Sequence, residues 1–274
     1  MMRLREAFWP WTDIWIRSQW RVQRHCATGQ ARLLDPANKA IASGTPDECV
    51  DLAKRLAPSA GAKRGAILLH GLWDYPGIMR PLERALRMRG WAVANLGYPS
   101  LRRSVAAHGA AASLAAQALA EDGAAEIAFI GHSLGGLVSR EAMARATIDG
   151  WHPGRLVLIG SPAYGSIIAG HAQYIRGYRT VLGACAPAVT AEGAAAIPLP
   201  AAEEVLVIAG GTGGSGFNPL LRGDNDGLIA VLETRMPEHE TEFRLVRSIH
   251  KTLPIKPATI SACISFLTAR SVDT

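Results

Sequence analysis

The sequence predicts an α/β fold with a mostly parallel central sheet, helices on both faces and a cap or lid insertion. Three observations lead there. From Lys63 onward, short apolar runs alternate with helical patterns, the signature of βαβ units. The 28 glycines and 16 prolines supply the many connections such an alternation needs. The 274 residues, 49% of them hydrophobic, suffice for one compact domain with a sizeable core.

Residues 1–62 differ in character and are expected to form a Trp-rich, helical N-terminal extension. Trp9, Trp11, Trp15 and Trp20 are four of the chain's seven tryptophans. Arginines and Glu6 break the segment before any apolar run reaches signal-peptide or membrane-spanning length. Thr12-Asp13 after Pro10 suggests the cap of a short helix carrying Ile14, Trp15, Ile16 and Trp20 beside Arg17 and Arg21. Such a helix would either pack its tryptophans onto the domain or a partner, the plainer alternative, or lie peripherally on a membrane. A second helix is expected over Pro46–Ala57, with Thr45 and Glu48 at capping-box spacing and Pro46 at the first helical position.

Residues 63–274 carry the α/β domain. Strands are expected at Gly65–His70, Trp91–Tyr98, Glu126–Gly131, Arg155–Gly160, Glu204–Gly210 and Phe243–Arg247. Helices are expected at Gly77–Arg89, Val105–Ala120, Leu134–Ala146 and Ala258–Ala269. Between two of the strands, 163–200 is too long for an ordinary connection. Rich in alanine and glycine, with Tyr164, Tyr174 and Tyr178, it reads as a cap or lid, or as a helical excursion without a gating role.

Chemistry concentrates at Gly131-His132-Ser133-Leu134-Gly135, which matches G-x-S-x-G between an apolar strand and a helix. A sharp turn there lifts a serine hydroxyl off the sheet, and glycines let the chain turn without collision. The helix start that follows favours developing negative charge. A serine needs a base held by an acid, in the chain order serine, acid, histidine. Of the later histidines, His250 follows the last strand and so reaches the sheet edge where Ser133 sits. His152, His171 and His239 fall in less suitable loops. Asp226, in Asn225-Asp226-Gly227, is the expected acid, with Asp224 in reserve. The oxyanion hole would use the N–H groups of Leu134 and Leu72, the latter made approachable by Gly71. His70 and His132 read as structural.

These stretches, with Gly160-Ser-Pro-Ala-Tyr-Gly-Ser166, Asn225-Asp-Gly-Leu-Ile229 and His250, occur in the order found in bacterial lipases. From Gly65 to about Ala269 the chain resembles the lipase and esterase branch of the α/β-hydrolase superfamily. The resemblance implies an α/β-hydrolase fold and a Ser133–Asp226–His250 triad with the Leu72 and Leu134 oxyanion hole. It implies hydrolysis of carboxylic esters, with a small-molecule ester or lipid as substrate. Family members usually carry Thr-Pro-His or Ser-Pro-His where this chain has Ala163-Tyr164. Some bind structural calcium, but no convincing ligand set carries over, so neither metal nor cofactor is expected.

An acyltransferase would use the same triad, and a non-catalytic binding module would keep only the fold. The formal charge of +6 comes from scattered basic residues, with no basic-aromatic nucleic-acid pattern. Cys26, Cys49, Cys185 and Cys263 show no CxxC or metal spacing and suggest free thiols, with one disulfide as the alternative. Without an export signal or spanning helix, a cytoplasmic location is the expectation, with peripheral membrane contact through the N-terminal segment as the alternative to a purely soluble one.

Overall fold

The computed structural model describes residues 9–269 except 175, 178, 179, 181, 182 and 203, so Met1–Phe8 and Tyr178 lie outside the described residues. Among these residues the centre is a six-stranded, fully parallel sheet in the order β10-β9-β8-β7-β5-β6. Its strands are β5 (Arg64–Leu69), β6 (Ala92–Leu96), β7 (Glu126–His132), β8 (Pro153–Ile159), β9 (Val205–Gly211) and β10 (Glu242–Arg247). The inner strands are apolar on both faces because each face buries a layer. Ile67, Leu69, Ile127 and Phe129 join one core, and Ala66, Leu68, Ala128 and Ile130 the other.

Four helices follow strands in the expected places: α2 (Arg80–Arg87), α3 (Val105–Glu121), α4 (Leu134–Met143) and, at the end, α6 (Pro257–Thr268). Helix α2 is shorter than its sequence pattern because Pro76–Met79 winds as a 3-10 turn before it. Helix α4 stops at Met143, and Ala146–Asp149 forms a separate turn closed by left-handed Gly150.

The expected helix after Pro10 is instead a strand. Residues 11–44 form an antiparallel sheet, β1 (Trp11–Arg17), β2 (Trp20–His25), β3 (Ala31–Leu34) and β4 (Ala40–Gly44). Trp, Ile and Thr favour the pleated surface. The β1–β2 turn uses Ser18 and Gln19, both at positive φ, as a two-residue hairpin requires. Asp13 caps no helix. Its fully buried carboxylate accepts from Arg21 Nη1 (2.6 Å), Gln23 Nε2 (2.8 Å) and the Gly97 N–H (2.7 Å), tying this sheet to the end of β6. Helix α1 (Pro46–Leu56) starts with the expected Thr45–Glu48 capping box and covers the sheet through Cys49 and Ala53.

The 163–200 insertion contains only short helical pieces among its described residues, including α5 (Ile167–Ala172) and the turn Ala191–Ala195. Both its roots are pinned by Arg140, a residue of α4 that is only 1% exposed. Its guanidinium donates to the carbonyls of Ala163 (2.6 Å), Ile197 (2.7 Å) and Pro198 (3.0 Å). Arg140→Met keeps the bulk but leaves three carbonyls unpaired. It should cost about 3 kcal/mol in urea unfolding and speed proteolytic cleavage within 163–200. Unchanged stability and cleavage would show that the roots are held by packing alone.

Candidate active site

Ser133 stands between β7 and α4 at φ 55°, ψ −121°, a conformation that non-glycine residues rarely adopt. Its neighbours permit it. A Cβ on Gly131 would come within 2.3 Å of the Gly135 backbone, and one on Gly135 within 2.3 Å of the Leu69 carbonyl oxygen. The glycine spacing is thus a packing requirement of the turn. The resulting placement aims the Ser133 hydroxyl at His250.

His250 Nε2 lies 3.0 Å from Ser133 Oγ, and His250 Nδ1 lies 2.6 Å from Asp226 Oδ2. The loop carrying Asp226 follows β9 and that carrying His250 follows β10, so three strand ends converge at one edge of the sheet. The two loops are also joined through backbone, the His250 N–H donating to the Asp226 carbonyl at 2.9 Å. Asp226 is 1% exposed, and its Oδ1 accepts the N–H groups of Leu228 (3.0 Å) and Ile229 (2.7 Å). Oδ2 is left for the imidazole.

Asp224 is used elsewhere. Its carboxylate accepts from the Thr212 N–H (2.7 Å), the Gly213 N–H (2.8 Å), the Asn225 N–H (3.0 Å) and the Thr212 hydroxyl (3.0 Å). Partial burial opposes ionisation there, but these donors outweigh it and hold the carboxyl below its ordinary range. Neither His152, His171 nor His239 lines the cleft at Ser133.

Leu134 is the first residue of α4, so its N–H belongs to the turn without intrahelical acceptors. Leu72 follows Gly71 in a turn closed by the Asp74 N–H on the Gly71 carbonyl (3.3 Å), with Trp73 at φ 58°. Leu72 and Leu134 both line the cleft beside Ser133. His70 anchors this loop: its ring stacks on Tyr98 at 4.1 Å, and the Tyr98 hydroxyl donates to the His70 carbonyl. His132 packs beside His250, with Nε2 3.2 Å from the His250 carbonyl oxygen.

The cleft over Ser133 measures about 710 Å3. Leu72, Trp73, Leu134, Ile168, Val189 and Ile229 make it mainly apolar, and Arg176 and Lys251 bring positive charge to its lining. One contributor escaped the sequence reading. Glu233, 9% exposed, accepts the N–H of Ala230 (2.5 Å) and that of Ile167 at the start of α5, joining the Asp226 loop to the insertion. Burial raises its pKa against those two donors, and the nearby Asp226 charge adds to the rise. Its signal in sequence was faint: a Glu three residues after an alanine, without the Ser or Thr that normally marks a helix start.

The chain belongs to the alpha/beta hydrolase family, whose profile matches residues 66–251. In structure it is similar to the mature form of a Bacillus licheniformis lipase, with a TM-score of 0.60 at 16% identity over 76% of this chain and 93% of that one. A Listeria innocua gene product gives a TM-score of 0.52 at 17% identity, over 77% and 96% of the two chains. A Pyrococcus furiosus esterase gives 0.52 at 13%, over 96% and 92%. At these identities the likeness establishes the fold. Comparison with curated proteins gives no match. Among the described residues no helix is long and apolar enough to cross a membrane, and no three His, Cys, Asp or Glu residues group as metal ligands.

Two predictions follow from this geometry. Gly135→Ala would press a methyl group onto backbone that cannot yield, and should cost about 3 kcal/mol or prevent folding; a melting temperature within a degree or so of native would contradict the packing argument. The second concerns three buried histidines. Burial lowers the pKa of His70 to about 4 and of His108 to about 3, with the charges of His70 and Arg103 adding to the His108 shift. His132 is lowered in the same direction, by burial first and then by the His250 charge. Each ring binds a proton more readily in the unfolded chain, so stability is full above about pH 6.5 and falls as pH drops toward 4. The slope is about 1.4 kcal/mol per pH unit for each histidine. Urea unfolding at pH 7 and pH 5 tests this, and equal stability at both would refute it.

Proposed function

We propose that this chain is a serine hydrolase that cleaves carboxylic esters, with Ser133 as nucleophile, His250 as base and Asp226 as the acid that orients it. The observation that carries this is the continuous line of contacts from Ser133 Oγ through both His250 nitrogens to Asp226 Oδ2, opening into an apolar cleft. In the first half-reaction His250 Nε2 takes the Ser133 proton as Oγ attacks the ester carbonyl. The N–H groups of Leu134 and Leu72 hold the oxyanion, each such donor being worth about 3 kcal/mol in the transition state. The protonated His250 then gives its proton to the departing alkoxide. In the second half, water attacks the acyl-enzyme by the same route and releases the acid.

Asp226 fits its role because two backbone N–H groups hold Oδ1 while Oδ2 fixes the proton on His250 Nδ1. The apolar cleft suits an aliphatic acyl group, and its volume lies within the range of drug-sized ligand sites. Residues 163–200 act as a cap over it: Ser166, Ile168, Ala169 and Val189 supply part of its walls.

Hydrolysis of p-nitrophenyl esters from acetate to palmitate tests the proposal, and the optimum chain length reads how much of the cleft is filled. Ser133→Ala should lower kcat by about 10^4-fold or more, and Asp226→Asn by about 10^3- to 10^4-fold. Asp224→Asn should retain most activity. Turnover that survives Ser133→Ala would overturn the nucleophile assignment, and equal losses for the two aspartates that of the acid.

A further inference from the structure

The N-terminal sheet meets helix α3 at a second cavity, about 330 Å3 in volume, whose lining includes Thr12, Arg24, His25, Thr28, Arg103 and His108. No Asp or Glu lines it among the described residues. Its walls therefore offer mainly hydrogen-bond donors and positive charge.

Each donor is seated by local structure. Arg24, half-buried on β2, makes no ion pair or side-chain hydrogen bond among the described residues, so its guanidinium is uncommitted. Arg103 is held against the wall by one bond, Nη1 to the Cys26 carbonyl at 2.6 Å, which leaves its other donors free. The N–H groups of Ala27 (3.4 Å) and Thr28 (3.2 Å) point at His25 Nδ1, so the ring proton is assigned to Nε2. Helix α3, 17 residues long, begins beside them. Ser104 caps the Ala107 N–H, while Val105 and Ala106 belong to the first turn without intrahelical acceptors.

His108, only 2% exposed, also lies on the cavity wall, its ring 4.7 Å from that of Tyr98.

We propose that this cavity binds the phosphate group of a small phosphomonoester. Phosphate fits better than carboxylate because its three terminal oxygens can meet donors arranged around them, whereas a carboxylate presents one planar fork. Near neutrality a phosphomonoester also carries between one and two negative charges, which Arg24 and Arg103 can meet together. The volume leaves room for a short polar tail. This site is separate from Ser133, so its test does not depend on ester hydrolysis.

Cys26 reports occupancy. It lies on the cavity wall and is half-exposed, whereas Cys49, Cys185 and Cys263 are buried. Its labelling by iodoacetamide, a neutral reagent, would be timed with sn-glycerol 3-phosphate, with phosphatidate vesicles and with sodium sulfate, at constant ionic strength. With ligand at about ten times its Kd, labelling should slow about tenfold, the factor 1 + [L]/Kd. Arg24→Gln, whose melting temperature serves as the folding control, should abolish the protection. Protection by glycerol phosphate would identify a free phosphomonoester, and protection by phosphatidate alone a lipid headgroup. Either supports the site. No protection by either, protection undiminished in Arg24→Gln, or equal protection by sulfate would overturn the phosphate assignment.

Discussion

The site depends on one backbone constraint, the strained turn at Ser133. A residue with a side chain is held at φ 55° because the chain must reverse from the end of β7 into α4 within a single residue. That reversal is possible only where the surrounding backbone can close to atomic contact, hence glycine at both 131 and 135. The strain is borne by a strand in the middle of the sheet, with β5 on one side and β8 on the other. An edge strand would relax. The buried C-terminal stretches of β5, β7 and β8 are therefore more than a core: they stop the turn from moving to an easier conformation.

Around that fixed point the loops are held by one another as well as by the sheet. The His250 backbone bonds to the Asp226 backbone, Asp226 bonds to the N–H groups of its own turn, and Glu233 joins the Asp226 loop to α5. Arg140, nearly two turns along the helix that Ser133 begins, holds both roots of the insertion. Helix α4 thus fixes the walls of the cleft as well as one oxyanion donor in the proposed mechanism. His70 and His132, kept neutral by burial, add hydrogen bonds to this frame without competing positive charge next to His250.

What could be read from sequence followed from how local each signal was. The alternating strands and helices, the Thr45–Glu48 box and the turn at Ser133 are each written within a few adjacent residues. The β1–β2 hairpin was missed because Ser18-Gln19 adopts positive φ without the Asn-Gly or Asp-Gly that normally announces it. With no visible turn, Thr12-Asp13 looked like a cap. Asp226 could be preferred to Asp224 only by its Gly227 turn, because their difference lies in which N–H groups claim each carboxylate, and that is set by the fold of a loop reaching back to Thr212. Arg140 was invisible for the same reason: its partners lie 23 to 58 positions away.

Helix α3 shows how composition can carry architecture without periodicity. An amphipathic helix needs one apolar stripe, yet α3 is alanine-rich around most of its circumference. Its Ala112, Ala115 and Ala116 pack into the core beneath the parallel sheet, while Ala111 and Ala118 pack into the separate cluster under the N-terminal sheet. Two layers pressing on one helix leave space only for small side chains, so the absence of a stripe records burial from two sides. The ion pairs at its carboxyl end fit this placement: Asp122 meets Arg17 from β1, and Glu121 meets Lys54 from α1. Residues 11–57 are therefore packed onto the hydrolase body through a shared helix, and the cavity at the opposite end of that helix is a product of the same seam.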